Sequence, residues 1–211
     1  MWWLTWPMGL TLLRLLLLPV FLWVMISQVG QQPSGQPLRG RWVALAIFAF
    51  MALTDKLDGY LARRLDQSTR LGTVLDPIAD KLLIACSTVL LSFPAVAMPA
   101  YHIRFWVLAA IYGKDLYLAL GTIALLAMIG HVTISPRPLG KTSTFVQLML
   151  ILVTLIAADM ERFGAGVPGG LLGFLWWSVL FLALAAAADY TRIGWRQLQA
   201  ARALGQTARR E

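Results

Sequence analysis

Five of the ten acidic residues of this chain fall between Asp55 and Asp80, and four of them are spaced as helical neighbours. Asp55 and Asp58 are three apart and Asp76 and Asp80 four apart, so each pair falls on one face of a helix. Written out, the stretch is Asp55-x-x-Asp58-Gly59-x-x-Ala62-Arg63-x8-Gly72-x-x-x-Asp76-x-x-x-Asp80. Its flanks are apolar enough for membrane, where an ionisable side chain costs about 2.5–3.5 kcal/mol and marks function by default. Four like charges repel one another, so a positive group has to stand among them, and a divalent cation is the simplest. A set of oxygen donors without His or Cys suits Mg²⁺, Mn²⁺ or Ca²⁺ and argues against zinc. Gly59 and Gly72 remove side chains beside the carboxylates, where a ligand would approach the backbone closely. Arg63 is placed to meet an anionic group. Carboxylates, a hard cation, open glycines and an arginine are the parts needed to handle a diphosphate. Asp66, by contrast, reads as a cap or interfacial residue, and Arg64 and Arg70 as topology determinants.

The elements that must position these groups follow from composition. Hydrophobic residues make up 59% of the 211 residues and charged ones only 13%, against about 25% charged in soluble domains. The expected fold is an all-α integral membrane protein, because backbone polar groups in lipid must be satisfied within the helix. Six transmembrane helices are expected at about 10–29, 41–61, 76–99, 104–129, 143–160 and 169–190. Three Trp in the first eight residues mark a short amphipathic N-terminal segment lying along the headgroups. Residues 30–40, 94–101, 131–141 and 164–170 read as loops from their Gly, Pro and polar content. One membrane domain would occupy 1–190, and a basic cytoplasmic tail 191–211, as surface helix or disorder. A short basic connection between spans two and three lets them pack antiparallel, which gathers the four carboxylates.

The net charge of +8 does not indicate nucleic acid, since the basic residues sit at helix ends beside apolar spans, where anionic lipid is the partner. With the amino terminus inside, Arg63, Arg64, Arg70, Arg137, Lys141 and five tail arginines face the cytoplasm. Only Arg39, Arg41, Arg104 and Arg162 lie outside. The positive-inside rule therefore puts both termini and the acidic motif on the cytoplasmic side. The first residues carry no basic stretch and Arg14 interrupts the apolar run, which speaks against a cleaved signal peptide. Cys86 is alone, so no internal disulfide forms.

The acidic stretch resembles, at every position, the signature D-x-x-D-G-x-x-A-R-x8-G-x-x-x-D-x-x-x-D of the CDP-alcohol phosphatidyltransferase family, with looser similarity from Pro7 to Tyr190. The resemblance implies a six-span membrane enzyme, commonly homodimeric, of a bacterial inner membrane. Such enzymes transfer a phosphatidyl group from CDP-diacylglycerol to an alcohol and release CMP. It implies that Asp55, Asp58, Asp76 and Asp80 bind Mg²⁺ or Mn²⁺, and that Asp80 is the general base for the acceptor hydroxyl. Asp58, Gly59, Ala62, Arg63 and Gly72 would line the cytidine diphosphate pocket.

The acceptor is read from less specific elements. The segment Thr69–Lys81 and the run Leu10-Thr11-Leu12-Leu13-Arg14 resemble the family's phosphatidylglycerophosphate synthases, which use glycerol 3-phosphate, although Met8 replaces their Asn. Arg14, costly in an apolar helix, calls for an anionic substrate or a carboxylate partner. Gly140-Lys141-x-x-Thr144-x-x-Gln147 matches a further element of the family and puts Lys141 at a helix start suited to phosphate. Arg14, Lys114 and Lys141 are thus the expected acceptor-phosphate contacts. Gly113-Lys114-Asp115, however, stands where those synthases carry Ala-Arg-Glu, and looks closer to cardiolipin synthases, which accept phosphatidylglycerol. A different class also uses intramembrane carboxylates, namely ion or proton carriers. Here the other acidic residues of the spans, Asp115, Asp159 and Asp189, are too scattered to supply a through-path.

Overall fold

The computed structural model describes the backbone of residues 6–27, 29, 39–65, 70–97, 100–130, 138–162 and 169–207. Within these, side chains are described for all but 6–8, 39, 55–65, 70–74, 76–77, 158–159, 161–162, 169 and 202–207. The described residues are helical almost throughout. In chain order the helices are α1 (Trp6–Ser27), α2 (Arg39–Leu65), α3 (Arg70–Ser92), α4 (Pro94–Ala97), α5 (Phe105–Ile129), α6 (Pro138–Arg162) and α7 (Gly169–Thr207). Among the described residues, four stretches are long and apolar enough to cross a membrane: Gly9–Ser27, Phe105–Ile129, Pro138–Ala157 and Gly170–Ala201. Helix α2 adds a shorter apolar section, Gly40–Thr54. The protein is an integral membrane protein of helical type.

Helix order agrees with expectation, but several ends do not. Helix α3 stops at Ser92, not near 99, because Pro94 cannot extend it. The expected loop at 94–101 instead opens with the single turn α4, and the Ile103 N–H closes back on the Leu91 carbonyl at 2.9 Å. Helix α6 begins at Pro138, inside the expected 131–141 loop, with proline in the first helical turn where its missing N–H costs nothing. Helix α5 ends as expected, with Gly130 in the left-handed conformation (φ 78°) and its N–H on the Leu126 carbonyl at 2.8 Å. At the amino end, residues 6–8 form the first turn of α1 itself, so the separate amphipathic segment does not extend over them, and residues 1–5 lie outside the described set. Helix α7 runs through residue 190 without a break. Its 39 residues make a rod of about 58 Å at 1.5 Å per residue, nearly twice the hydrocarbon thickness.

By backbone proximity the chain forms two compact units, Met1–Ile103 with Leu148–Leu172, and Arg104–Gln147 with Gly173–Glu211. In the first, α1 packs on both α2 and α3. Its inward stripe is Thr11, Arg14, Leu18, Phe21 and Met25, at three- and four-residue spacing. The stripe of α2 is Arg41, Ala44, Phe48, Met51 and Thr54, and Phe21 meets Phe48 with ring centroids 5.9 Å apart. On α3 the stripe is Ala79, Leu83, Ile84, Ser87, Thr88 and Leu91. The buried threonines serve themselves: the hydroxyls of Thr54 and Thr88 donate to the carbonyls of Phe50 and Ile84, at 2.9 and 2.7 Å. Thr154 of α6 does the same to Leu150 at 2.7 Å. Such bonds remove the cost of a hydroxyl in lipid without any second helix.

In the second unit α5 lies against α7. The Tyr117 and Thr191 hydroxyls share a hydrogen bond of 2.7 Å, and Trp106 meets Trp177 at 5.4 Å. The Arg104 guanidinium stands 5.0 Å from the Trp176 ring. Trp177, though 65% exposed, thus packs on α5 through Trp106. Contact is close at Gly194, where an added Cβ would lie 2.8 Å from Leu125 Cδ1, whereas Gly121 has nothing within 4 Å. Gly194→Leu should therefore destabilise by about 1–3 kcal/mol through overpacking. Gly121→Ala should be neutral or stabilising, because alanine favours the helix by up to about 1 kcal/mol. Thermal unfolding in detergent checks both, and a Gly194→Leu protein as stable as the unmodified one would remove the close-packing account.

Candidate active site

The acidic motif is carried by helix backbone on both sides. Asp55, Asp58, Gly59, Ala62 and Arg63 lie in the carboxyl-terminal half of α2, and Gly72, Asp76 and Asp80 in the first half of α3. Of this set Asp80 is the residue with a described side chain; those of Asp55, Asp58, Ala62, Arg63 and Asp76, with the surroundings of Gly59 and Gly72, lie outside the described residues. Among the described residues no three metal-ligating side chains come together.

Asp80 is held from α1. Arg14 Nη1 donates to Asp80 Oδ1 at 2.7 Å, with the arginine side chain 1% exposed and the aspartate side chain 34% exposed. Of the two explanations that Arg14 demanded, an anionic substrate or a carboxylate partner, the second is present. The two residues are 66 apart in sequence, so only the packing of α1 on α3 brings them together. The outcome is a carboxylate with one oxygen fixed by a buried guanidinium and a third of its surface open. A charge-assisted bond of this length is short and strong.

The other expected acceptor contacts belong to the second unit. Lys114 Nζ donates to Asp115 Oδ1 at 3.0 Å, with the two side chains 11% and 36% exposed. Adjacent helical residues do not normally face each other, so spacing alone leaves Asp115 scattered and gives no sign of the pair. Lys114 also lines an α5–α7 cavity of about 260 Å³ with Gly113, Tyr117 and Ala183. Lys141 and Thr144 are exposed on α6, while Gln147 of the same element is buried and donates to Ser143 Oγ at 3.4 Å. Gln147 thus packs inward and leaves Lys141 and Thr144 as the outward groups.

A family profile described as CDP-alcohol phosphatidyltransferase matches residues 4–187. The chain belongs to the CDP-alcohol phosphatidyltransferase family. Enzymes of this family generally use a divalent metal. The residues here fit one: the motif offers oxygen donors alone, and the carboxylate that is described, Asp80, is fixed on one oxygen and partly open. Among curated relatives, a probable phosphatidylglycerophosphate synthase of Mycobacterium tuberculosis is 37% identical over 142 residues, 67% of this chain and 61% of that protein. CDP-diacylglycerol–glycerol-3-phosphate 3-phosphatidyltransferases are 46% identical in Pseudomonas fluorescens and 44% in Escherichia coli, each over 86 residues. Those two matches cover 40% and 43% of the relatives, so the chain aligns with less than two thirds of each of the three proteins.

Proposed function

We propose that this chain transfers a phosphatidyl group from CDP-diacylglycerol to glycerol 3-phosphate, giving phosphatidylglycerophosphate and CMP. The observation that carries the reading is Asp80, a motif carboxylate fixed by Arg14 and still open, in a chain of this family. In the reaction the acceptor oxygen forms a bond to the phosphorus that bears diacylglycerol, and the bond from that phosphorus to the CMP oxygen breaks. The acceptor hydroxyl proton passes to Asp80, the residue we assign as general base. Asp55, Asp58 and Asp76 join Asp80 as the metal set. When bound, Mg²⁺ or Mn²⁺ would supply charge neutralisation on the diphosphate and its departing oxygen. Asp58, Gly59, Ala62, Arg63 and Gly72 would line the cytidine diphosphate pocket, the glycines leaving backbone open and Arg63 meeting a phosphate. Lys114 and Lys141 remain the candidate acceptor-phosphate contacts.

Two observations support the gathering of this set. Helical spacing puts positions 55 and 58 on the same face of α2 as residues 44, 48 and 51, and positions 76 and 80 on the same face of α3 as 83 and 84. If α1 and α2 run antiparallel, the meeting of residue 21 with 48 carried seven residues further along each helix sets 14 level with 55. Glycerol 3-phosphate is favoured over phosphatidylglycerol because the relatives carry names of that reaction. A carrier is disfavoured because the buried threonines are closed on their own helices and Asp115 is paired with Lys114.

The same reading takes α1, α2, α3, α5, α6 and α7 as six spans of a single domain over 1–190, followed by a basic tail. It places the site at the cytoplasmic face of a bacterial inner membrane, and the protein as a homodimer. Labelling of cysteines introduced into the tail of intact and opened cells tests the orientation, and labelling from outside would reverse it. Cross-linking in native membrane tests the dimer, which a monomer alone would remove.

The reaction is tested with purified protein in detergent, CDP-diacylglycerol and Mg²⁺ or Mn²⁺, by following CMP. Release with glycerol 3-phosphate is expected. Release with phosphatidylglycerol alone would make the chain a cardiolipin synthase. A folded protein that binds no CDP-diacylglycerol would overturn the enzyme reading.

A further inference from the structure

We propose that Arg14 is a positioning residue for the transfer, acting through Asp80 and not on either substrate. The inference rests on the assignment of Asp80 as general base. It deepens that assignment by separating Arg14 from the acceptor-phosphate contacts among which its charge alone would place it.

Burial decides between the two roles. A residue that grips an incoming phosphate must present its guanidinium to the space that the phosphate enters. Arg14 is 1% exposed, on the stripe of α1 that faces the helix pack, between Thr11 and Leu18. Asp80, its partner, is the member of the pair with open surface, at 34%. The outer, reachable group is therefore the carboxylate, and the arginine stands behind it. An aspartate alone swings broadly about its terminal torsion. A buried guanidinium with a fixed fork of donors, holding Oδ1 at 2.7 Å, removes that freedom. Fixing a base near its reactive geometry is worth large rate factors, and a misplacement of about 1 Å costs about 100-fold.

Lysine carries the same charge but a single flexible donor head. Arg14→Lys should thus keep the ion pair and lose its direction. The expected result is a fall in kcat of about tenfold for Arg14→Lys and about 100-fold for Arg14→Gln, with KM for the acceptor within about twofold of the unmodified value in both. A rise in acceptor KM with kcat unchanged would put Arg14 on the acceptor phosphate and overturn the proposal. So would a kcat that does not change in Arg14→Lys. If Arg14→Gln fails to fold, Arg14→Lys alone reads the same division.

A second readout needs no turnover. Arg14→Gln, Asp80→Asn and the double variant are compared by thermal unfolding in metal-free detergent solution. Each single change breaks the pair from one side, so the double variant should melt above the sum of the two losses. Strict additivity would show that the two side chains do not act together and would end the proposal. An unmodified protein that releases no CMP with any acceptor would overturn the reaction itself, and this role with it, while leaving the unfolding cycle as the record of the pair.

Discussion

Asp80→Asn should reduce CMP release by about 10²–10⁴-fold, the span typical of losing a positioned general base. Asparagine keeps the shape of aspartate and an oxygen that can still accept from Arg14 Nη1, so the packing of α1 on α3 is largely preserved. What it cannot do is take the acceptor's proton. Its neutral amide also removes the charge that Arg14, 1% exposed, pairs with in Asp80, and some stability is lost with it. That second effect is separated by two measurements on the same variant, binding of CDP-diacylglycerol and thermal unfolding. A variant that binds the nucleotide lipid and remains folded, yet releases CMP at the unmodified rate, would remove Asp80 from the chemistry.

Stripping divalent metal should lower CMP release to background, and adding back Mg²⁺ or Mn²⁺ should restore it. The reason lies in the carboxylates. Asp55, Asp58, Asp76 and Asp80 are four carboxylates within a largely apolar sequence, and Arg14 pairs with Asp80. Like-charged carboxylates repel one another, and the substrate brings a diphosphate of the same sign. The measurement is turnover before and after chelation, with metal content checked by elemental analysis. Full turnover in protein shown to be metal-free would refute the metal assignment and leave the four aspartates without a common role. The same titration ranks Mg²⁺ against Mn²⁺.

Much of this architecture is legible in the sequence, because hydropathy alone identifies apolar segments of membrane length. The order and approximate placing of α1, α5, α6 and α7 follow from it, while among the described residues α2 holds only a shorter apolar section and α3 no stretch of that length. Ends are less legible where one residue has two meanings. Pro138 reads as a loop residue but opens α6, and Pro94 sits in an apolar run that it in fact terminates. The tail from Thr191 is polar enough to suggest a new element, yet Ala, Gln and Arg are good helix formers and α7 runs on to Thr207. At the site, an anion for Arg14 was demanded by the cost of a lone charge in lipid. Which anion was not, since a contact across 66 residues is set by helix packing alone. The Lys114–Asp115 pair was invisible because neighbours on a helix point about 100° apart.

The Arg14–Asp80 bond also carries a timetable. Thr54, Thr88 and Thr154 close their hydrogen bonds within their own helices as soon as those helices form. Arg14 is made 66 residues before Asp80, an interval of about 3–13 s at a translation rate of about 5–20 residues per second. During that interval α1 carries a cation whose lifelong partner is still unmade. A free Arg costs about 2.5–3.5 kcal/mol at the centre of an inserting helix. Arg14 lies eight residues after Trp6, about 12 Å along the axis, within reach of the headgroups by stretching its side chain. The nascent first helix would thus wait near the bilayer surface or the insertion machinery, and settle fully when α3 arrives with the matching charge. The settling of α1 would in that sense depend on a helix made later in the same chain.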